Sequence, residues 1–434
     1  MRGAPGGRRV HRRPGLPESD RSPRIDGKVA VLDTIHGAGT IAERMREMGI
    51  DASALEVYHA TPELSPFDLV VAPVHLPPAN PARREARRLG RRVITHHQAV
   101  GDLLAGKRDY KAFEVTGTVG KTTTSLILSR ILSFEGVAVS HTTRGIEVWK
   151  DGESQLLRSG LSIAPANVIL ASDAATVISA DYLVSEISLG GTGLADFAVL
   201  TTFARDYKVA GGTLWATTAK LQMVSLSKPG SKLIAGEDVK ISADVTFGSG
   251  PRGEVYATDR MIRARGDATP LNLGEGVDQE SYASAISGAA AAALAAGFDL
   301  PEIASALEGF AGLGGRMKET RVDGIHLLDN SNSGLRASGV EAALRRAGAG
   351  GQLALVVGEE AETVCEGMDI PQLVEILDRR REEIDLLILV GERLKPYVLE
   401  LSARYAPDLD SGLAAAEDAL NGGDRIISCV KCFR

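Results

Sequence analysis

The sequence predicts an α/β protein of three consecutive domains, each built around a mostly parallel sheet. Short apolar segments alternate with helical segments along nearly the whole chain, which is typical of parallel strands joined by right-handed crossovers. The chain has 434 residues, and domains of roughly 100–200 residues suggest two to four of them. Glycine is frequent, at 48 residues, while aromatic residues make up only 4%, which favours tight turns and aliphatic sheets.

The first domain is predicted over residues 27–108. Apolar strands are predicted at 28–32, 67–74 and 91–97, and the helices between them at 40–48 and 78–89. Residues 1–26 are rich in Arg, Pro and Gly and contain no apolar core segment. We therefore expect a disordered basic extension rather than a secretory signal, with a transit peptide as the alternative.

The central domain is predicted over residues 109–313. Its apolar strands are expected at 112–117, 181–188 and 196–203, and a helix at 121–135. Short alternating strands over 241–273 predict an antiparallel hairpin at a sheet edge. An Ala-rich helix at 282–296 ends at a glycine, a second helix opens at a proline, and the Gly-rich run 309–315 predicts a hinge.

The third domain, residues 314–434, again alternates, with apolar strands predicted at 325–329, 352–358, 385–391 and 424–430. The three cysteines, Cys365, Cys429 and Cys432, are too few for a disulfide framework and fit a reducing cytoplasm. Cys429 and Cys432 have C-x-x-C spacing without a second pair. We interpret them as a strand end near solvent, with a metal or redox site as the less favoured alternative.

The net charge and the apolar runs exclude two classes of function. A net charge of −7 gives no indication of a surface for nucleic acid. No apolar run reaches the roughly 18 residues that a membrane span requires. We expect a cytoplasmic protein that acts on small molecules and leave its oligomeric state open.

A shortened phosphate-binding loop is the strongest local signal. It lies between an apolar strand and a helix, where consecutive backbone N–H groups and the helix dipole favour an anion. The spacing G-x-x-G-K-T is shorter than that of a full Walker A loop, and a chance Gly-rich turn is the alternative. The residues expected to bind ATP are Gly117, Thr118, Val119, Gly120, Lys121, Thr122 and Thr123.

Glu186 lies within an apolar strand that we expect to run parallel to the strand before the phosphate loop. A carboxylate at the C-terminal end of a parallel strand points into the ligand crevice, where it can bind Mg²⁺. A glutamate on an edge strand, paired with a basic neighbour, is an equally good interpretation of the position alone.

Several motifs in order and spacing make the chain resemble the Mur ligase family. This resemblance implies three-domain Mur ligase architecture: a Rossmann-like N-terminal domain, a central P-loop ATPase domain and a Rossmann-like C-terminal domain. It covers essentially everything from residue 27 onward. The matching positions are Gly117 to Thr123, Glu186, Thr201-Thr202, Ala219-Lys220 and Gly315-Arg316-Met317.

The resemblance implies catalytic and metal-binding roles for four side chains. Lys121 and Thr122 would hold the β- and γ-phosphates of ATP together with Mg²⁺, and Glu186 would be a second metal ligand. Lys220 would act as a carbamate, because that modification turns an ammonium into an anion. Without the resemblance, an exposed lysine on a helix surface is the favoured interpretation of Lys220.

The C-terminal domain would complete the nucleotide site. By resemblance, Arg316 would approach the γ-phosphate on domain closure, and Asp329, with Asn330 beside it, would contact ATP. The chain departs from the family where an Asp-His pair is usual, because Tyr207 follows Asp206. It departs again where an asparagine often contacts adenine, since only Ser281 and Ser284 are present. These departures put the second metal and the adenine contacts in doubt.

Several segments resemble the methanogen branch of this family, the coenzyme F-430 synthetases; they are 32–49, 70–78, 93–100, 185–193 and 329–334. The resemblance implies that a propionate of a nickel tetrapyrrole, seco-F-430 acid, is activated as an acyl phosphate and attacked by a ring carbon. An anionic macrocycle needs cations and hydrogen-bond donors around an apolar cleft. The candidate contacts, for each of which an ordinary solvated loop residue is the alternative, are His36, His96, His97, Arg144, Arg205 and Lys208.

Two other functions stay open at this point. An amide-forming Mur or folylpolyglutamate-type ligase would join an amino acid to the activated carboxylate. A non-catalytic, nucleotide-dependent switch or assembly chaperone could use the same loop. Adjacent His96 and His97 also suggest nickel ligation, but neighbouring side chains on a strand face opposite ways, which disfavours a shared ion.

Overall fold

The structure is a computed structural model that describes residues 25–106, 108–275, 277–346, 348, 350–360 and 367–433. The predicted basic extension lies almost entirely outside these residues, as does Cys365. Within the described part of the chain, no helix is both long and apolar enough to cross a bilayer.

The first sheet has four parallel strands in the order β2-β1-β3-β4. These strands are β1 (Val29–Leu32), β2 (Ala52–Leu55), β3 (Leu69–Ala72) and β4 (Arg92–Thr95). The helices that connect and flank them are α1 (Ala38–Glu47), α2 (Pro81–Arg88) and α3 (His96–Leu103). Because β2 and β3 lie on opposite sides of β1, successive strands are first added on one side of β1 and then on the other. Such a switch point leaves a crevice at the carboxyl ends of the strands.

The predicted strand over 91–97 is wrong at its C-terminal end. The chain turns into α3 at His96, and the Thr95 hydroxyl caps this helix by accepting a hydrogen bond from the Gln98 N–H at 3.1 Å. Threonine is a favoured N-cap residue, so Thr95 was the signal in the sequence that a helix begins here. His96 and His97 are therefore the first two residues of a helix rather than alternating residues of a strand.

The central sheet has eleven strands in the order β17-β16-β15-β14-β13-β10-β5-β9-β6-β7-β8. Its inner strands are parallel, and antiparallel strands extend both edges. The strands are β5 (Lys111–Thr116), β6 (Ala138–Thr142), β7 (Gly145–Lys150), β8 (Glu153–Arg158), β9 (Tyr182–Glu186), β10 (Phe197–Leu200), β13 (Lys232–Gly236), β14 (Val245–Gly248), β15 (Val255–Thr258), β16 (Met261–Ala264) and β17 (Asp267–Pro270), and a separate hairpin consists of β11 (Lys208–Val209) and β12 (Leu214–Trp215).

The antiparallel hairpin predicted within 241–273 is confirmed as β15 to β17 at one edge. The strands β7 and β8 at the other edge were not predicted. The helices of this region are α4 (Lys121–Leu132), α5 (Asn167–Ile178), α6 (Ala216–Lys220), α7 (Gln222–Ser225), α8 (Gln279–Ala296) and α9 (Leu300–Ala306). The Ala-rich α8 ends at Gly297, whose positive φ of 111° provides the left-handed C-cap.

The third sheet has six strands in the order β18-β19-β23-β20-β21-β22, and only β18 is antiparallel to its neighbour. The strands are β18 (Lys318–Val322), β19 (Ile325–Asp329), β20 (Leu353–Glu359), β21 (Leu386–Val390), β22 (Arg404–Ala406) and β23 (Arg425–Lys431). The helices are α10 (Ala337–Arg346), α11 (Ile370–Arg379) and α12 (Leu409–Glu417). The predicted alternation of strands and helices is confirmed.

The prediction of a solvent-near strand end for Cys429 and Cys432 is wrong, because both side chains are buried. They are three residues apart on an extended chain, so they face opposite sides of the third sheet. Cys429 belongs to one hydrophobic cluster and Cys432 to the other. Their role in the described structure is that of small core residues, and burial raises the pKa of the Cys429 thiol above its ordinary value.

The two junctions between sheets differ in chemistry. The first and central regions share one hydrophobic cluster, which includes Val31, Ile41, Ile169 and Leu183. The third sheet has hydrophobic clusters of its own, and polar contacts join it to the central region. The ion pair between Arg346 and Asp278 is one such contact.

Candidate active site

One cavity of about 950 Å³ lies where the three sheets meet. Loops after β1 and β3 line one part of it, which we call the first-domain end, and the loop between β5 and α4 lines another part, the nucleotide end. Residues from the start of the third sheet and of α10 close the remaining side. This arrangement is the one expected of parallel sheets, whose ligands bind at the carboxyl ends of the strands.

The phosphate loop follows β5 and leads into α4, as the sequence predicts. Gly120 is the N-cap residue with a positive φ of 82°, and a Cβ there would have no atom within 4 Å, so the space above it is open. Gly117 (φ 149°) is needed for close approach instead, because a Cβ would lie 2.0 Å from the Thr201 Oγ1. The Thr201 hydroxyl also donates to the Val119 carbonyl at 2.6 Å, which holds the loop against β10.

A carboxylate, a hydroxyl and an ammonium group meet at the start of α4. The Thr122 hydroxyl donates to Glu186 Oε2 at 2.8 Å, and Lys121 Nζ lies 3.9 Å from Glu186 Oε1. Strand β9 lies inside the sheet between β5 and β6, so the interpretation of Glu186 as an edge-strand residue is wrong. The oxygen donors of Thr122 and Glu186 suit a hard divalent cation such as Mg²⁺.

The pKa of Lys121 in the phosphate loop depends on charged residues from outside the loop, including arginines of the third region. Burial lowers the pKa of Lys121, the charge of Glu186 opposes this, and the charges of Arg336 and Arg316 lower the pKa further. Three cationic side chains thus converge on the space above the loop. A group of this kind favours a polyphosphate, since an anion between the cations removes their mutual repulsion.

Hydrogen bonds fix the backbone around Arg316, just before the third sheet. Tyr282 on α8 donates its hydroxyl proton to the Arg316 carbonyl at 2.6 Å and accepts from the Leu313 N–H at 2.9 Å. Asp329 Oδ2 accepts from the Gly315 N–H at 2.8 Å. The Gly-rich segment predicted as a hinge is therefore anchored from both sides.

The two predicted ATP contacts at the end of β19 are placed differently. Asn330 lines the cavity, and its amide donates to the Gly339 carbonyl at 3.3 Å. The Asp329 carboxylate is buried and engaged by the hinge, by the Ser331 N–H at 3.0 Å and by the Ser428 hydroxyl at 2.9 Å. In this arrangement Asp329 positions the residues around it.

Lys220 at the end of α6 is completely buried, so its interpretation as an exposed surface lysine is wrong. Its Nζ lies 5.8 Å from the centre of the Tyr207 ring, and the guanidinium carbon of Arg336 lies 5.1 Å from the same ring. Tyr207, which replaces the histidine usual in the resembled family, thus lies within 6 Å of two cationic groups and lines the cavity. A metal-binding role for Lys220 stays a prediction.

His96 and His97 are buried beside the cavity, which contradicts their interpretation as solvated loop residues. The His96 Nε2–H donates to the Leu32 carbonyl at 2.9 Å, and the His97 Nε2–H to the Ser188 carbonyl at 2.8 Å. Burial lowers the pKa of His96 to about 3 and that of His97 to about 4. Both are therefore neutral near pH 7, and they hydrogen-bond to different carbonyl groups.

The other predicted substrate contacts fall into two groups. His36, Arg205 and Lys208 line the cavity. Arg144 follows the cavity-lining Thr143 and pairs with Glu147 Oε1 on β7 at 2.9 Å, so its guanidinium is engaged by the sheet. Ser281 and Ser284 on α8 also line the cavity.

Four side chains at the first-domain end form a group that the sequence did not indicate. Asp33 follows β1, His75 follows β3, and these two meet His36 and Tyr58. We call these four residues the Asp33 cluster. The sequence signal for this cluster was the position of Asp33 and His75 after the two strands at the switch point. Arg336 and Lys431 also line the cavity, but they lie in the third region, where no motif identified them.

Comparison with known proteins identifies the chain. Residues 319–432 match the family model described as "Coenzyme F430 synthetase CfbE, C-terminal domain". The chain is 35% identical to the coenzyme F(430) synthetase of Methanosarcina acetivorans, over 94% of this chain and 99% of that protein. The chain belongs to the coenzyme F430 synthetase family. It is therefore an ATP-dependent ligase of the Mur type, as the sequence predicts.

Solved structures show that this F430 synthetase family member has the Mur ligase fold. MurF from Acinetobacter baumannii is similar with a TM-score of 0.57 at 16% identity, covering 84% of this chain and 87% of that one. The bifunctional folylpolyglutamate synthase/dihydrofolate synthase from Yersinia pestis, complexed with AMPPNP and Mn ion, gives a TM-score of 0.57 at 18% identity, covering 77% and 90%. The predicted fold class is confirmed.

Proposed function

We propose that the protein uses ATP to activate a propionate carboxylate of a nickel tetrapyrrole, seco-F-430 acid, as an acyl phosphate. A ring carbon of the same molecule then attacks the acyl carbon and closes the last carbocycle, which gives coenzyme F-430, ADP and phosphate. The observation that carries the proposal is the convergence of Lys121, Thr122 and Glu186 at the start of α4, facing the large cavity. Family membership supports the choice of substrate.

At the nucleotide end, the amides of the phosphate loop and the Lys121 ammonium bind the terminal phosphates of ATP. The structure fits a divalent cation there, because Thr122 and Glu186 supply oxygen donors beside the open space over Gly120. We propose Mg²⁺, which would neutralise charge on the phosphoryl group during transfer. Arg316 then stabilises the charge that develops as the substrate carboxylate attacks in line.

The rest of the cavity suits an anionic macrocycle. Apolar groups such as Val74, Ile163 and Leu189 line it together with Arg205 and Lys208. Cations around an apolar surface bind a carboxylate-bearing ring in the orientation that brings one carboxylate to the phosphate loop. We therefore propose that His36, Arg205 and Lys208 contact the substrate, whereas buried His96 and His97 hold the cavity wall.

The nucleophile in this reaction belongs to the substrate. An intramolecular carbon needs no amino-acid pocket, because the bound conformation alone sets its effective concentration. When the new C–C bond forms, the phosphate leaves with the electron pair of the acyl C–O bond, and the attacking carbon loses its proton. Exclusion of water by the third domain protects the acyl phosphate from hydrolysis.

We also propose the domain boundaries predicted from the sequence: 27–108, 109–313 and 314–434. The first and central domains then share an apolar cluster, whereas the third docks through the hinge at Gly315 and through polar contacts. Closure of the third domain would change the distances of Arg316 and Arg336 from the nucleotide.

The test is a reaction of the purified protein with Mg-ATP and seco-F-430 acid in the absence of any amine. Stoichiometric phosphate release together with the spectral change of ring closure is the expected result. A reaction that proceeds only when an amino acid is added would identify an amide-forming ligase instead. Binding of ATP without any product from the isolated protein would indicate a nucleotide-dependent switch.

A further inference from the structure

The Asp33 cluster brings four potential metal-ligand atoms to one point at the first-domain end of the cavity. Asp33 Oδ2 lies 2.7 Å from His36 Nδ1, 3.1 Å from His75 Nε2 and 2.8 Å from the Tyr58 hydroxyl oxygen. The two ring nitrogens are 3.3 Å apart. The Tyr58 oxygen lies 3.4 Å from His36 Nδ1 and 3.5 Å from His75 Nε2.

These six distances describe the corners of a slightly compressed tetrahedron. Zn²⁺ with bonds of about 2.0–2.1 Å to nitrogen places its four ligand atoms roughly 3.3–3.4 Å apart. Hydrogen bonds to one shared acceptor, Asp33 Oδ2, already bring the two imidazole nitrogens and the phenol oxygen near one another. They do not require these three atoms to approach to 3.3–3.5 Å of each other, as they do here.

We propose that Asp33, His36 and His75 bind one divalent transition-metal ion of the Zn²⁺ class, with the Tyr58 hydroxyl at the fourth corner. Two imidazoles and one carboxylate favour such an ion over Mg²⁺ or Ca²⁺, which prefer oxygen ligands. The same three side chains form the metal-compatible group found among the described residues. This site is separate from the proposed nucleotide site at Thr122 and Glu186.

The hydrogen bonds around Asp33 keep its carboxylate ionised and in one orientation, as is expected of a preformed metal ligand. Its other oxygen, Oδ1, accepts from the N–H groups of Ile35 and His36 at 3.1 Å each, so the carboxylate is fixed in orientation. Burial raises the pKa of this carboxyl, but the hydrogen bonds from His36, His75 and Tyr58 outweigh burial and hold the pKa below its ordinary value. Asp33 also has a positive φ of 81°, which costs energy for an aspartate.

The fold explains why these side chains meet. Asp33 follows β1 and His75 lies shortly after β3, and these strands flank the switch point of the first sheet. Crevices at such points bind ligands in open parallel sheets. His36 and His75 are half-buried and line the cavity, so the bound ion would face the space that the proposed substrate occupies.

The test measures metal binding by the full-length protein without nucleotide or tetrapyrrole, so its outcome does not depend on the proposed function. The protein is stripped with a chelator, dialysed against Zn²⁺ and analysed for metal content. We expect about one ion per chain in the wild type, and in His75→Ala and His36→Ala a loss of affinity of more than about 100-fold. Substitution with Co²⁺ should give the intense visible absorption of a tetrahedral site.

Two control variants separate this site from other sources of metal binding. His59→Ala removes an exposed histidine from the same loop as Tyr58 and should keep the full metal content. Glu186→Gln changes the nucleotide end and should also keep it. Equal metal content in His75→Ala and the wild type would overturn the proposal.

An apoprotein that binds no ion would also overturn it. If, in addition, His75→Ala alters the spectrum of bound nickel tetrapyrrole, His75 would be a ligand to the nickel of the substrate. The resident-ion proposal would then be wrong even though the cluster touches a metal.

Discussion

The two ends of the cavity are built in different ways. At the nucleotide end, consecutive residues of one loop provide the amides, and neighbouring Lys121 and Thr122 provide charge and hydroxyl. At the first-domain end, the Asp33 cluster assembles side chains that lie up to 42 residues apart in sequence. The first end is a local motif that can be identified in the sequence, whereas the second exists only once the sheet has formed.

The largest expected effect concerns the nucleotide end. Lys121→Ala removes the partly buried ammonium beside Glu186, and we expect turnover to fall by roughly 10³-fold or more, since this ammonium stabilises charge on the transferred phosphoryl group. Steady-state phosphate release measures this loss, and circular dichroism checks that the fold is intact. The control is Lys111→Ala, an exposed lysine at the start of the same strand β5. Ring closure by Lys121→Ala at the parental rate would show that the site is wrongly assigned.

Glu186→Gln should have the next largest effect. Glutamine keeps an acceptor for the Thr122 hydroxyl but removes the negative charge, so the apparent affinity for Mg²⁺ should fall by about 100-fold. A titration of turnover against Mg²⁺ at saturating ATP measures the change. Glu153→Gln on exposed strand β8 serves as the matched control. An unchanged Mg²⁺ requirement would remove Glu186 from the metal site.

His75→Ala should affect binding of the tetrapyrrole without affecting binding of ATP. Loss of one hydrogen-bonding or coordinating group at the first-domain end is expected to raise the KM for the tetrapyrrole by about tenfold. The KM for ATP should not change, because His75 bonds to the Asp33 cluster beside the first sheet, whereas the phosphate loop belongs to the central sheet. His59→Ala should leave both constants unchanged. Equal increases in both KM values would show that the ends are not independent.

The smallest effect is a dependence of stability on pH. His96 and His97 have pKa values lowered by burial to about 3 and about 4, whereas unfolded histidines titrate near 6.5. Between these values the unfolded chain binds more protons, so stability falls as the pH decreases, by up to about 1.4 kcal/mol per pH unit for each group.

Thermal unfolding followed from about pH 7 to pH 5 checks this direction, since the midpoint should decrease with the pH in that range. His97→Asn should show a shallower decrease than the wild type, because one buried neutral histidine is removed. A slope that is identical in the two proteins would mean that His97 does not titrate differently on folding.

The sequence was sufficient for the alternating architecture and for the phosphate loop, because both depend on local periodicity and glycine placement. Glu186 could be placed at the carboxyl end of a strand, but its central position became clear only from the strand order. Helix α3 was missed because the apolar run continued through Thr95, whose capping role depends on the following backbone.

Burial was the property that the sequence predicted least well. Cys429 and Cys432 are predicted to lie near solvent, and without the family resemblance Lys220 is predicted to be exposed, yet all three side chains are buried. The burial of a single side chain depends on packing against residues that are distant in the sequence, so the local sequence pattern does not predict it. The same reason explains why Arg336, which influences Lys121 from the third region, had no signal in its own segment.

The most direct test of the account follows an oxygen atom of the substrate. Seco-F-430 acid labelled with ¹⁸O in the reacting carboxylate is converted with Mg-ATP, and the released phosphate is analysed by mass spectrometry. If the carboxylate attacks the γ-phosphoryl group held at Lys121, each phosphate carries one labelled oxygen. Ring closure that releases only unlabelled phosphate would contradict activation of the carboxylate as an acyl phosphate.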